Sequence, residues 1–254
     1  MLLERQIYNI LLVSLFAVSI LVFMLLFFLN APYGRFTRKT WGLRINPKLA
    51  WFIMESPAFF TIIICFLIGD KRKNFITLIF LAIWTIHYFQ RAFIYSFLIK
   101  SEKNTFPVLL IVFSILFNVW NGYLNGRYLF HFAFRYDIGW LKDPRFIIGT
   151  VIFFSGYVIN LNSDHILRQL RKPGENGYKI PAGGLFRYLS SPNYFGEIIE
   201  WAGWAVLTWS LPGLAFAVFT IANLVPRALS NHEWYLKSFP DYPKERKAII
   251  PFIL

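Results

Sequence analysis

Apolar stretches long enough to cross a membrane alternate with short polar ones along the whole chain. A helix needs about 20 apolar residues to span a hydrocarbon core of ~30 Å. Residues 7–29 form the first such stretch, and others follow at about 49–68, 74–99, 107–130 and 145–162. The first is too long for a signal-peptide core and has no small-residue cleavage site after it, so it reads as a retained span. Residues 194–226 are too many for one span, and Ser210-Leu211-Pro212-Gly213 breaks them into two helices. The pattern predicts an all-α polytopic membrane protein with seven transmembrane helices. It shows no internal repeat and no separate soluble domain.

Composition narrows the class further. The 254 residues are 57% hydrophobic, 20% aromatic and only 15% charged, too few charges to cover a water-facing surface. The chain is too apolar for disorder. Its single cysteine, Cys65, excludes a disulfide scaffold and a cysteine-built metal site. The net charge of +13 is spread between the spans instead of gathered in one basic domain, which argues against nucleic acid. Seventeen Lys and Arg fall in the loops of one side and seven on the other, so the N-terminus is expected outside and the C-terminus in the cytosol. That topology suits the endoplasmic reticulum of a eukaryote or the inner membrane of a bacterium. Nothing in the sequence calls for an obligate protein partner beyond the lipid bilayer.

Ionisable groups inside spans are expensive and mark function. Glu55 lies mid-span in Trp51-Phe-Ile-Met-Glu55-Ser-Pro57, where it reads as protonated or as hydrogen-bonded to another helix. Tyr88, Arg91 and Tyr95, beside His87, share one helix face, as an aromatic belt with a snorkelling arginine would, or as a site would. Asn118, Asn121 and Asn125 share another, with Gly122 and Gly126 as a small-residue packing pair. Asn160, Asp164, Arg168 and Arg171 fall on one face where the fifth span leaves on the basic side. They read either as a positive-inside flank or as groups for phosphate and amide contacts. Pro192 and Asn193 open the next helix, with Asn193, Glu197 and Glu200 on one face. Arg227, the cluster Asn231-His232-Glu233 and Tyr235 follow later. There is no G-x-G-x-x-G and no Walker loop, so a nucleotide site would have to be built from helix ends and loops.

Three long strings carry a family resemblance: DHILRQLRKPG at 164–174, IPAGGLFRYLSSPNYFGEIIEW at 180–201 and YLKSFPDYPKERKAIIPFIL at 235–254. With His87-Tyr88-Phe89-Gln90-Arg91 and the Glu55 segment, they resemble the steroid 5-alpha-reductase family, closest to its type 2 pattern, over nearly the whole chain. The resemblance implies a single seven-helix reductase domain over 1–254. Helices of 1–105 would contribute the substrate site, and helices and loops of 106–254 the cofactor site. It implies NADPH-dependent reduction of the 4,5 double bond of 3-oxo-delta-4 steroids. Carried over by position, Glu55 and Tyr88 would hold the 3-ketone and Trp201 would line the steroid pocket. Arg35, Arg91, Tyr95, Asn160, Asp164, Arg168, Arg171, Asn193, Glu197, Arg227 and Tyr235 would surround the cofactor, and Lys103 would add a basic group. Asn231 stands where the type 2 pattern has a histidine.

The chemistry is compatible with these residue types. As hydride reaches the β carbon of an enone, negative charge grows on the carbonyl oxygen. Donors aimed at that oxygen, such as a tyrosine hydroxyl and a protonated carboxyl, lower the barrier. Other readings compete. The string from Arg187 to Glu197 also resembles isoprenylcysteine methyltransferases, which use S-adenosylmethionine. That family usually has His-Pro at Ser191-Pro192 and a Glu pair at His232-Glu233. Reduction of an enoyl lipid is a neighbouring possibility, and a non-enzymatic sterol carrier would need neither the arginines nor Asn193.

Overall fold

The computed structural model describes residues 2–29, 34–36, 42–71, 74–100, 105–133, 136–170 and 177–254. Seven long helices lie among them: α1 (Leu2–Phe28), α2 (Pro47–Leu67), α3 (Phe75–Leu98), α4 (Val108–Phe132), α5 (Pro144–Gln169), α6 (Pro192–Thr208) and α7 (Leu211–Ser238). All but α6, which has 17 residues, are long and apolar enough to cross a membrane. Large apolar side chains such as Ile10, Val13, Phe28, Phe60, Leu116 and Val151 point outward, as lipid-facing positions require. The protein is an all-α integral membrane protein. Among the described residues one sheet pairs the two-residue strands β1 (Arg44–Ile45) and β2 (Phe106–Pro107) antiparallel.

Local signals start the helices where expected. Asn46 caps α2 by accepting from the Lys48 N–H, and Pro47 follows at the first helical position. Asn74 caps α3 through the Ile76 N–H. The break near 210 is real: Trp209 takes a left-handed conformation at φ 44°, and Ser210 then caps α7 by accepting from the Gly213 N–H. The far ends differ from the hydropathy pattern. α5 runs to Gln169 instead of ending near 162, and α7 runs through Pro226 and Arg227 to Ser238. Hydropathy fades there, but Ala228 and Tyr235 keep a buried face on α7, so packing sustains the helix. Pro226 lies inside the helix and removes one N–H from its ladder.

The chain divides into two compact units. The first comprises residues 1–14 and 31–147, and the second 15–30 and 148–254. In the first unit α2 packs along α4, where a Cβ on Gly122 or Gly126 would press on Thr61 or Cys65. The expected role of that glycine pair in helix packing holds. The first turns of α1 are tied to α4: Tyr8 Oη donates to the Leu124 carbonyl at 3.0 Å, and Arg127 pairs with Glu4 at 2.6 Å.

In the second unit α5 and α6 cross so closely that backbone touches backbone. A Cβ on Gly149 would land on Leu207, one on Gly156 on Glu200, one on Gly203 on Phe153, and one on Gly196 on Asn160. The four glycines recur at seven-residue steps on each helix, an antiparallel seam of small residues. Trp201, Trp204, Phe153 and Phe216 fill the interior beside it.

Candidate active site

In the first unit, side chains from two helices hold the carbonyls on either side of Glu55. Asn118 Nδ2 on α4 donates to the Met54 carbonyl at 2.6 Å, and Trp84 Nε1 on α3 donates to the Ala58 carbonyl at 3.2 Å. Pro57 lies between them and removes an N–H from the helix. One turn before Glu55, Trp51 meets Tyr95 edge to face with ring centroids 5.2 Å apart. The Arg91 guanidinium lies over both rings, 5.3 Å from the Trp51 centroid and 4.7 Å from that of Tyr95. Ala58 thus meets Trp84 while Trp51 meets Arg91 and Tyr95, so α2 and α3 run antiparallel. That register puts Glu55 level with Tyr88, on the face that carries Trp51 and Ala58. Tyr88 is buried, with the Trp84 and His87 rings 5.1 and 4.9 Å from its own.

From Gln90 to Tyr95 α3 widens into a π-helix, an irregularity the sequence pattern did not show. Ser96 Oγ donates to the Arg91 carbonyl, five residues back, at 3.1 Å and satisfies it. Such widenings concentrate at functional sites. This one carries both Arg91 and Tyr95, which meet Trp51 on α2. Arg35 is half-buried in a short turn, Gly34–Phe36.

In the second unit the glycine crossing brings two polar faces together. Asn160 Nδ2 on α5 donates to the Asn193 carbonyl at 3.0 Å and reaches Glu197 Oε2 at 3.5 Å. Asn193 Nδ2 in turn reaches Asp164 Oδ1 at 3.5 Å. The expected faces 160/164 and 193/197 are therefore one cluster, with Asn160 and Asp164 buried. Arg168 and Arg227 are half-buried on α5 and α7, and Glu200 is fully buried beneath the cluster. Tyr235 is buried and stacks on Tyr242, centroids 5.0 Å apart and planes 9° apart. Trp201 lies 4.2 Å from the Phe216 ring, inside the unit. Arg171 and Lys103 lie outside the described residues.

Sequence reasoning passed over several groups here. The C-terminal tail pairs with the segment before α6: the Ser190 N–H donates to the Lys247 carbonyl at 2.8 Å, and the Ser191 N–H to that of Ala248 at 3.1 Å. Arg246 is buried on that tail. It donates from Nη1 to the Pro181 carbonyl at 2.9 Å and lies over the Tyr242 ring, while its Nε meets no partner among the described residues. A buried guanidinium N–H left open in the unit that carries the Asn–Asp–Glu cluster fits an anionic, amide-bearing ligand such as a nicotinamide dinucleotide. The signal was present, in the basic string 244–247, but its distance along the chain from the cluster hid it.

At the start of α5, outside either cluster, Asp143 forms a two-pronged pair with Arg145. Those hydrogen bonds pull its carboxyl down to about 2.

Comparison with known proteins shows the family. The family described as 3-oxo-5-alpha-steroid 4-dehydrogenase matches residues 104–254. "Steroid 5-alpha-reductase DET2" of Arabidopsis thaliana is 44% identical over 236 residues, covering 91% of this chain and 90% of its own. "3-oxo-5-alpha-steroid 4-dehydrogenase 1" of Mus musculus is 46% identical over 229 residues (89% and 88%), and that of Bos taurus 42% over 242 (94% and 93%). With helices of membrane-spanning length, a carboxyl and a phenol level on facing helices, and this identity along nearly the whole chain, the protein belongs to the steroid 5-alpha-reductase family of oxidoreductases.

Proposed function

We propose that the chain reduces the 4,5 double bond of 3-oxo-delta-4 steroids with NADPH. The observation that carries this reading is the α2–α3 register, with Glu55 level with a buried Tyr88 between clamped helices. There the Tyr88 hydroxyl and the Glu55 carboxyl donate hydrogen bonds to the steroid 3-ketone. They stabilise the negative charge that grows on its oxygen as the β carbon is reduced. The aromatic walls exclude water from this point and favour a flat apolar skeleton.

Arg35, Arg91, Tyr95, Asn160, Asp164, Arg168, Arg171, Asn193, Glu197, Arg227 and Tyr235 hold the cofactor: guanidiniums take phosphate, and the amides and carboxylates take amide and ribose groups. When bound, the nicotinamide supplies the hydride. Seven helices cross the bilayer, α6 among them, with the N-terminus outside and the C-terminus cytosolic, so the basic cofactor side faces cytosolic NADPH.

A spectrum tests the reading. Purified protein in micelles, given NADPH, should consume its 340 nm absorbance on addition of an enone steroid, with no methyl donor present. Absorbance that stays flat, with methyl transfer from S-adenosylmethionine instead, would hand the site to the methyltransferase reading.

A further inference from the structure

Ser190 is a buried hub of the second unit that the chemistry above leaves unused. Its Oγ lies 2.6 Å from His232 Nδ1 on α7 and 2.7 Å from Tyr242 Oη on the C-terminal tail. A hydroxyl has one proton and two acceptor positions, so Ser190 can bridge both rings at once. Its neighbour is held in the same way: Asn231 Nδ2 donates to Ser191 Oγ at 3.3 Å. The backbone closes the arrangement, because Leu189 pairs with Lys247 in a parallel bridge and the Lys247 N–H donates to the Tyr188 carbonyl at 2.8 Å. The segment 188–191 is thus fastened to α7 on one side and to the tail on the other.

What lies next to this fastening gives it a purpose. Two residues beyond Ser191 stands Asn193, whose carbonyl takes Asn160 and whose amide reaches Asp164. The Tyr242 ring, held by its hydroxyl at Ser190, is the surface on which Tyr235 stacks. One bonded group therefore fixes the approach to α6 and the plane of Tyr235. Apolar side chains of similar size would fill the space, but they would not set the direction in which the loop enters the helix.

We propose that Ser190, His232 and Tyr242 are positioning residues for cofactor binding, acting through Asn193 and Tyr235. This rests on the NADPH reading above. Asn231 belongs to the same device, holding Ser191.

The test titrates NADPH into the purified full-length protein, following energy transfer from tryptophan to the dihydronicotinamide, for the unmodified chain, Ser190→Ala, Tyr242→Phe, the double variant and Ser190→Thr. Each single loss is expected to raise the apparent Kd about 10-fold, the value of one net hydrogen bond. The double variant should exceed the larger single effect little, because both remove the same link. Ser190→Thr, which keeps the hydroxyl, should bind nearly as the unmodified chain does. In steady state the loss should fall on KM for NADPH more than on kcat, and Ser190→Thr should keep the melting temperature of the unmodified chain. Equal Kd values in all five proteins, or a fall in melting temperature with unchanged Kd, would overturn the role. A different result, an unmodified chain that binds no NADPH, would overturn the cofactor reading and this role with it.

Discussion

The two units hold their polar groups by different means. In the first, Arg91 lies over the Trp51 and Tyr95 rings on the widened part of α3, Tyr88 lies against Trp84 and His87, and side chains from two helices bond the carbonyls on either side of Glu55. In the second, Asn160, Asp164, Asn193 and Glu197 bond one another across a glycine seam, and loop and tail are stitched on by backbone pairing. The first arrangement suits a rigid apolar wall with one or two donors for a ketone. The second suits a large polar ligand contacted at many points. The contrast predicts that damage to the first unit falls on the chemical step and damage to the second falls on cofactor binding.

The largest expected effect is in the first unit. Glu55→Ala or Tyr88→Phe should lower turnover by about 10²–10³, the usual cost of one donor at a developing oxyanion, with the NADPH Kd nearly unchanged. Glu55→Gln, which keeps a donor, should lose less. Steady-state rates beside a binding titration would show this, and equal losses of cofactor affinity in these variants would erase the contrast. In the second unit, Asn193→Ala and Arg171→Ala should each raise the NADPH requirement roughly 10-fold or more, as loss of a charged or buried hydrogen bond does. An unchanged NADPH titration would make both residues structural only.

A smaller effect belongs to the seam. Gly156→Ala or Gly203→Ala puts a methyl against opposing backbone, and overpacking of this kind costs about 1–3 kcal/mol. It should outweigh alanine's better helix propensity and lower the melting temperature by several degrees. The smallest concerns Asp143, which serves as a control outside both clusters. Its carboxyl is held at about 2 by Arg145, against an ordinary 3.8. A depressed value stabilises the fold above the ordinary value and loses that contribution as pH falls through about 2. Melting curves between pH 4 and 2 should therefore flatten slightly in Asp143→Asn, with NADPH affinity at neutral pH unmoved.

Much of this was legible in the chain. Apolar length gave the helices, and the break at Ser210-Leu211-Pro212-Gly213 was sharp because proline and a serine cap act locally. The faces 88/91/95 and 160/164 followed from helical spacing. What spacing could not show was pairing between distant segments. Gly149, Gly156, Gly196 and Gly203 look like scattered glycines until α5 and α6 are laid antiparallel. Ser190, His232, Tyr242 and Arg246 are ordinary polar residues until the tail folds back on 188–191. The widening at Gln90–Tyr95 follows from no local residue pattern. The continuation of α7 past Pro226 is not legible in the sequence, because hydropathy falls before the helix ends.

The central claim is that this chain delivers hydride to an enone steroid. Product analysis after incubating the purified protein with NADPH and testosterone or progesterone tests it most directly. The expected product is a 5α-reduced 3-ketosteroid, formed in step with NADPH oxidation and lost in Tyr88→Phe. Recovery of both steroids unchanged, from protein that binds NADPH and carries its native fold, would contradict it.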